Sequence, residues 1–506
     1  MSIDHIQTIV ERNTEQFYSL KVGNGIEIVK DPIEASVLSC IAECHPESAS
    51  IGGFSSDEIG MSALFAKCYH DKMRYCDRAG RWYIYDGITW EQDSKKHTKA
   101  HACVMQFIGL LGRYSYQFIG DDSKAAFIKK VSTFVDRRFR SRLLDDAASQ
   151  MNIEPAQFDA SPYLINCTNG VYDLKSNTFR NAAASDYITQ KTNCVGSVLP
   201  LRFPRWEQFI SEVTEGDSEK AAYLQRALGY SLFGEANEEC MFILHGKTTR
   251  NGKSTLLDTL RNLLGDYADT APVDLICKGR GTRSAENASP ILAKLKGKRF
   301  VTMNESDQHG KIDEATLKQY TGGEAVTARG LFQEPFTFIP QFTLWLSCND
   351  LPNVEDPSIF ASKRVRVIEF NRHFSNNEQD KDLKTLFHTP EAASAILQWL
   401  IKGYQAYRRE GLQEPASIKA ATKQYEKDND VVLLFLNDRY KHDPAGFVTT
   451  DELYRTYKNW CRNSYEPMSK NKFSRELSSC TEWKLKKRDS NPRGYYGLSP
   501  LGIMSI

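Results

Sequence analysis

The stretch FILHGKTTRNGKSTLLDTL (Phe242–Leu260) constrains this chain more than any other. An apolar strand runs into Gly246, a polar loop leads to Gly252-Lys253-Ser254-Thr255, and an amphipathic helix follows from Leu256-Leu257. In such a unit, backbone N–H groups wrap phosphate and the helix start adds the positive end of its dipole. The candidate ligand-binding residues are Gly246, Asn251, Gly252, Lys253, Ser254 and Thr255. Lys253 would neutralise β- and γ-phosphates, and the Ser254 hydroxyl would ligate Mg²⁺. The usual spacing is G-x-x-x-x-G-K-[ST], whereas five residues, Lys247 to Asn251, separate the glycines here. Lys247, Thr248, Thr249 and Arg250 therefore either bulge or add phosphate contacts, and both alternatives stay open.

Around that unit short apolar runs alternate with helical segments, the pattern of a parallel α/β core. Candidate strands are Met241–His245, Arg299–Met303, Thr343–Ser347 and Arg366–Phe370. Each ends at or beside a residue able to do chemistry, where ligand sites form in open α/β sheets. KRFVTMNES puts Glu305 at a strand end about fifty residues after the loop, the position of an acid that polarises an attacking water. Asn304 stands where many such sites carry a first acid, so Mg²⁺ would rest on Ser254, the phosphates and water, with Glu305 nearby. Asp307 is either a second acid or a solvated turn residue. FTLWLSCNDLP places Asn349 at the tip of a third strand, within reach of a terminal phosphate.

With 506 residues, the chain has room for three or four domains at roughly 100–200 residues each. Hydrophobic residues at 41% and charged residues at 25% exclude a disordered or coiled-coil chain. No apolar run approaches the ~18 residues of a membrane span, and the start MSIDHIQTIVERNTEQ lacks an export signal. The expected location is cytoplasmic. Net charge is +1, so any nucleic-acid contact is local. The twelve cysteines form no C-x-x-C pair; Cys40 and Cys44, beside His45, lack a second pair to complete a zinc site, and free thiols are expected.

Shifts in pattern divide the chain into a short accessory segment (1–60) ending in the linker-like SASIGGFSSDEIG, an α+β domain (61–203), a nucleotide-binding core (204–380), a helical segment (381–428) and a C-terminal domain (429–506). Two hairpins are expected in the second part, one turning at Asp86-Gly87 and one at Asn169-Gly170. Between Arg455 and Arg493 eleven Lys/Arg stand against four acids, with five aromatic residues interleaved and Tyr454, Tyr495 and Tyr496 just outside. DELYRTYKNWCRNSY and SKNKFSRELSSC read as helices and WKLKKRDSNPRGYYGLSP as two strands, the layout of a winged helix. Lys486, Lys487 and Arg488 on its wing are placed to contact duplex DNA. A solvated basic face on an oligomerisation module is the alternative.

The segments LQRALGYSLFGEA, LKGKRFVTMNE, LKQYTGGEAVTARGLFQEPFTF, LSCNDLPNVED and SKRVRVIEF, together with the phosphate loop, resemble the superfamily 3 helicases. Specifically, the chain is similar to the phage and plasmid primase/helicase family related to the poxvirus replicative helicase-primase, over residues of about 60–500. The resemblance implies an AAA+-like P-loop ATPase core with a parallel sheet, preceded by the small α+β domain and followed by the winged helix. It implies ATP and Mg²⁺ as ligands, a homo-hexameric ring, single-stranded DNA in the channel, 3′ to 5′ travel, and a phage, prophage or satellite element in a bacterial host cytosol. Lys253, Glu305 and Asn349 take the catalytic roles, and Arg364 sits where the family has an arginine finger supplied by the neighbouring subunit, with Lys363 and Arg366 as competitors. Gly322-Gly323 opens a channel hairpin whose arms would be Val326-Thr327 and Leu331-Phe332, with Arg329-Gly330 at its tip and Arg329 gripping phosphate. Residues 1–60 are too short for a primase, so priming would belong to another polypeptide. An initiator that melts one origin, or a DNA-binding scaffold with a degenerate ATPase, are the alternative functions.

Overall fold

The computed structural model describes residues 18–22, 25–29, 32–49, 53–115, 118, 122–277, 290–304, 310–330, 335–354, 358–462, 467–480 and 482–501. The chain divides into two compact units, Met1–Pro200 with Leu264–Tyr267, and Leu201–Leu263 with Ala268–Ile506.

In the first unit, β1 (Tyr18–Val22) and β2 (Gly25–Val29) pair antiparallel. Helix α1 (Pro32–Cys44) is followed by α2 (Glu58–Tyr69), and strands β3 (Met73–Cys76), β4 (Arg81–Tyr85) and β5 (Trp90–Gln92) form an antiparallel meander. In the β4–β5 turn Asp86 N donates to Thr89 O at 3.0 Å, so the two turn residues are Gly87-Ile88, one place beyond the expected Asp86-Gly87, and the Asp86 carboxylate accepts the N–H groups of Ile88 and Thr89. Three helices follow, α3 (Thr98–Ser115), α4 (Ala125–Val131) and α5 (Arg137–Gln150), and then the hairpin of β6 (Leu164–Cys167) and β7 (Gly170–Asp173), extended by β8 (Thr178–Arg180). Cys167 pairs with Gly170, so the turn consists of Thr168-Asn169 and Gly170 already belongs to the strand. That corrects the expected Asn169-Gly170 turn by one residue.

The expected boundary at residue 60 falls inside α2, which the Asp57 carboxylate caps by accepting from Gly60 N at 2.8 Å. Val37, Leu38 and Ile41 of α1 share one core with Leu64, Phe65, Val104, Phe107 and Leu143, so α1 is part of this core and not an accessory piece. All twelve cysteines are free thiols, and among the described residues no group of three or more His, Cys, Asp or Glu is arranged to hold a metal. No helix among them is long and apolar enough to cross a membrane.

In the second unit, α6 (Pro204–Val213) and α7 (Ser218–Tyr230) lead into β9 (Met241–His245) and α8 (Lys253–Leu264). The remaining core elements are β10 (Ala268–Pro272), β11 (Phe300–Asn304), β12 (Lys311–Ile312), α9 (Glu314–Thr321), β13 (Val326–Ala328), β14 (Phe336–Phe338), β15 (Thr343–Cys348), β16 (Asn353–Val354) and β17 (Val365–Glu369). Five of these strands form one parallel sheet in the order β10-β11-β15-β9-β17. Every residue of β9 and of β15 is buried, which is why both read as unbroken apolar runs. From β9 the chain crosses to β10 at the far edge, works back through β11 to β15, then passes to β17 on the other side. The carboxyl ends of β9 and β15 therefore flank a topological switch point, where open α/β sheets leave a crevice.

The long helix α10 (Pro390–Glu410) packs along α7, and α11 (Ala416–Asn429) sends Ala421 and Tyr425 into the core of the sheet. The C-terminal part has its own core. Helices α12 (Val431–Arg439), α13 (Thr450–Cys461) and α14 (Lys470–Ser479) pack with a three-stranded antiparallel sheet of order β18-β20-β19, made of β18 (Tyr440–Thr449), β19 (Lys486–Arg488) and β20 (Gly494–Pro500).

Candidate functional site

The loop after β9 folds back so that its first and last residues meet. The Lys253 ammonium donates to Gly246 O and to Asn349 Oδ1, each at 3.0 Å. Asn349 follows β15 directly, and Gly246 N donates to Cys348 O at 3.3 Å, so the loop is fastened to the tip of the adjacent strand. Lys253 is 5% exposed, and Gly246 O and Asn349 Oδ1 are both neutral oxygens that orient its ammonium. Ser254 is exposed and Thr255 half-buried on the first turn of α8, while Leu256 and Leu257 anchor the helix below.

Inside the loop, Asn251 is buried and its Nδ2 donates to Thr248 O at 2.6 Å. Lys247, Thr248, Thr249 and Arg250 form an exposed bulge fixed from outside by the segment after β17. Phe374 N donates to Arg250 O at 2.9 Å, His373 Nδ1 lies 2.9 Å from Thr249 O, and Arg250 Nη1 donates to Asn376 Oδ1. The extra loop residue is therefore taken up in this outward bulge. Sequence reasoning missed His373 and Asn376, although they follow a strand carboxyl end as the other candidates do.

Two glycines leave room for this geometry. A Cβ on Gly246 would lie 2.5 Å from both Asn251 Nδ2 and Phe370 O. Gly252 has φ +88°, and a Cβ there would lie 2.5 Å from Val213 Cγ1. Gly252→Ala is expected to lower stability by about 1–3 kcal/mol, from left-handed strain plus overpacking, and to weaken nucleotide binding. Thermal unfolding with and without ATP measures both, and a variant matching wild type in each would sink this account of the loop.

Burial, then the nearby Lys253 and Lys247, hold His245 below the usual histidine pKa, with Glu369 and the Asn349 backbone opposing. The end of β9 thus favours an uncharged imidazole beside a cationic loop. A buried ammonium, loop amides and the start of a 12-residue helix make a donor set that fits a polyphosphate.

Asn304 ends β11 and is exposed, in register with Ser347 of β15. Glu305 and Asp307 lie outside the described residues, as do Leu331 and Phe332. The hairpin near Arg329 differs from expectation. The partner of Val326–Ala328 is Phe336–Phe338, with Val326 opposite Phe338, because these two side chains enter the sheet's core. Arg329 is exposed just beyond β13, at the base of the connection and not at a two-residue tip.

Arg364 is not near the loop. Val365 pairs with Met241 and Glu369 with His245, so Arg364 precedes β17 at the opposite edge of the sheet. Six residues of strand separate its level from Gly246, roughly 20 Å at ~3.3 Å per residue. Its guanidinium contacts Glu239 Oε2 at 2.7 Å and Thr321 Oγ1 at 2.9 Å. Of its competitors, Arg366 is 9% exposed and bound to Glu414 at 2.9 Å, a structural ion pair. Lys363 occupies a turn at φ +54°.

In the C-terminal part, Lys486 and Lys487 are exposed on β19 opposite Tyr496 and Tyr495, and Arg488 lies over the Phe447 ring at 5.4 Å. Lys487 pairs with Asp489 at 2.9 Å. Of the described aromatics in and just outside the basic stretch, Tyr457, Phe473 and Tyr495 are fully buried and Trp483 nearly so; they build the core, and Tyr496 at 37% is the exposed one.

The profile described as D5 N terminal like matches residues 62–215, a family of unknown function matches 244–364, and the profile described as poxvirus D5 protein-like matches 427–500. These profiles and the relatives below indicate the poxvirus D5-like primase-helicase family. Among its relatives, "Putative helicase L207/L206" of Acanthamoeba polyphaga mimivirus is 29% identical over 328 residues, covering 61% of this chain and 34% of the relative. "Putative helicase V13" of the Sputnik virophage is 23% identical over 468 residues, 88% of this chain and 58% of the relative. The chain thus spans between about a third and three fifths of these relatives' lengths. They come from eukaryotic viruses, whereas the sequence reading expected a bacterial host. A solved structure of the NrS-1 C-terminal region is similar with a TM-score of 0.46 and 11% identity, over 84% of this chain and 96% of that one.

Proposed function

We propose that the chain is an ATP-driven replicative DNA helicase that acts as a ring, with an AAA+-like P-loop core (204–380), a preceding α+β part and a winged-helix part (429–506). The observation carrying this reading is the Lys253 ammonium shared between Gly246 O and Asn349 Oδ1 at the switch point of the parallel sheet. ATP would lie along the loop from Gly246 to Thr255. Lys253 offsets charge on the transferring phosphoryl group, Asn349 orients the attacking water, and Glu305 takes its proton. Mg²⁺, when bound through Ser254 and water near Glu305, would supply further charge neutralisation. Arg364, too far along its own sheet to serve its own loop, would reach the nucleotide of the next subunit in a homo-hexamer.

Arg329 would contact single-stranded DNA in the channel, and Lys486, Lys487 and Arg488 would contact duplex phosphates from the wing. The helix, helix, wing order of α13, α14 and β19–β20 supports the second assignment. A separate primase would supply primers. Incubating the protein with ATP, Mg²⁺ and forked DNA of arbitrary sequence is expected to displace one strand. Hydrolysis without displacement would replace the helicase by an origin-specific initiator, and no hydrolysis at all would remove the motor.

A further inference from the structure

The first unit carries a second concentration of positive charge, which the site above does not use. Residues 95–101 and 124–142 contain ten Lys/Arg and one acid, Asp136, a balance of +9 against +1 for the whole chain, which leaves −8 elsewhere. The fold brings parts of the two stretches together. Helix α3 packs on α5, and the cations felt by His101 on α3 are Arg140 and Arg137 of α5 together with His97. The histidines do not share a helix face as the i, i+4 spacing suggests. His97 precedes α3 at φ +54° and closes its first turn, its carbonyl accepting from His101 N at 2.9 Å.

Several basic residues in these stretches are already neutralised. Lys99 pairs with Glu91, Lys124 with Glu47 at 3.9 Å and Arg142 with Glu58 at 2.7 Å. Lys95, Lys96 and Arg137 are exposed, and their side chains make no ion pair or hydrogen bond among the described residues. His97 Nδ1 and Arg140 Nε are buried polar atoms with no hydrogen-bond partner among the described residues.

The start of α3 adds little attraction of its own, because the buried Asp93 carboxylate already accepts the N–H groups of Ser94, Lys99 and Ala100. Asp136 does the same for α5, accepting from Arg138 N at 2.7 Å. The net positive potential therefore belongs to the side chains. Burial, and then Arg140, His97 and Arg137, hold His101 below the usual histidine value against the opposing pull of Asp93, as expected where cations crowd. Val135, 58% exposed, is the one large apolar side chain exposed among the described residues of these stretches, and alone it falls short of the apolar centre a protein interface would have, which argues for a phosphodiester backbone.

We propose that Lys95, Lys96, His97 and His101, with Arg137 and Arg140, form a second nucleic-acid contact that holds the phosphate backbone of single-stranded DNA. The choice of one strand rests on the motor reading above, in which the ring engages a single strand. Contact here is sequence-independent and salt-sensitive.

The test is fluorescence anisotropy of the full chain with a labelled oligo-dT strand and with a duplex of equal length, across a salt series. A Lys95→Ala/Lys96→Ala/Arg137→Ala variant is compared with wild type. Single-strand affinity is expected to fall about tenfold or more, and the slope of log affinity against log salt to shrink by about 2, at ~0.7 per phosphate contact. Equal affinity and slope in the two proteins overturn the proposal, and an equal loss on duplex alone overturns the single-strand assignment. ATP turnover without DNA is measured alongside. Unchanged basal turnover shows the variant is folded, and absent turnover in wild type counts against the motor, leaving the patch to be judged on binding alone. Arg137→Glu, a single exposed change, gives an independent reading and is expected to weaken single-strand binding further than Arg137→Ala.

Discussion

Arg364→Ala is expected to lower DNA-stimulated ATP turnover by about 10³-fold or more, the range seen when an arginine finger is removed. The loss would fall on a pocket the residue cannot reach within its own chain, since it lies at the far end of β17 from the loop. Mixing separates this from a structural effect. In an equal mixture of Arg364→Ala and Lys253→Ala, about one interface in four brings an intact lysine to an intact arginine, so turnover returns where each variant alone has none. The Glu239 and Thr321 contacts supply the rival account, in which Arg364 only ties α9 to the sheet. That pair is partly exposed and worth about 0–1 kcal/mol, so the thermal midpoint should move little. No recovery in the mixture, together with a large drop in the midpoint, would leave Arg364 a structural residue.

Lys253→Ala carries the second large effect, a fall in turnover of about 10²–10³-fold, as for loss of one preorganised charge facing a transition state. Nucleotide binding should suffer as well. At ligand one hundred times above Kd, wild type gains about 2.7 kcal/mol of stability, and the variant should lose most of that thermal shift. Lys253→Arg is not expected to rescue it, because a planar fork cannot hold Gly246 O and Asn349 Oδ1 as a compact ammonium does. Full turnover in Lys253→Ala would end the phosphate-loop reading.

The central sheet was legible because its strands are buried on both faces and so appear as continuous apolar runs; Met241–His245 coincides with the observed strand. Other elements hid behind ambiguous signals. SASIGGFSSDEIG has linker composition, yet Ser55 and Asp57 within it form a helix cap, Ser55 Oγ donating to Asp57 at 2.5 Å. Strand β18 carries Asp443-Pro444 and Gly446 within it as an irregularity between Asp443 and Phe447. The second arm near Arg329 was placed at Leu331-Phe332, whereas the alternation of Phe336 and Phe338 marks the pairing strand. The meeting of Lys253 with Asn349 follows from strand order, and neighbouring strands so far apart in sequence are not specified by local pattern. Nor does pattern reveal that the arginines of α5 lie close to His101.

Strand β17 has Arg364 at one end and, at the other, the Phe370–Asn376 stretch that grips Thr249 and Arg250. Those five paired residues are a stiff rod, hydrogen-bonded along β9, with a handle at each tip. In the proposed ring, one tip would report whether the adjacent subunit's nucleotide is intact while the other steadies the cradle of the subunit's own. News of a spent fuel molecule then needs no chain of side chains to travel inward, because it can pass along a single backbone segment from one chamber to the next.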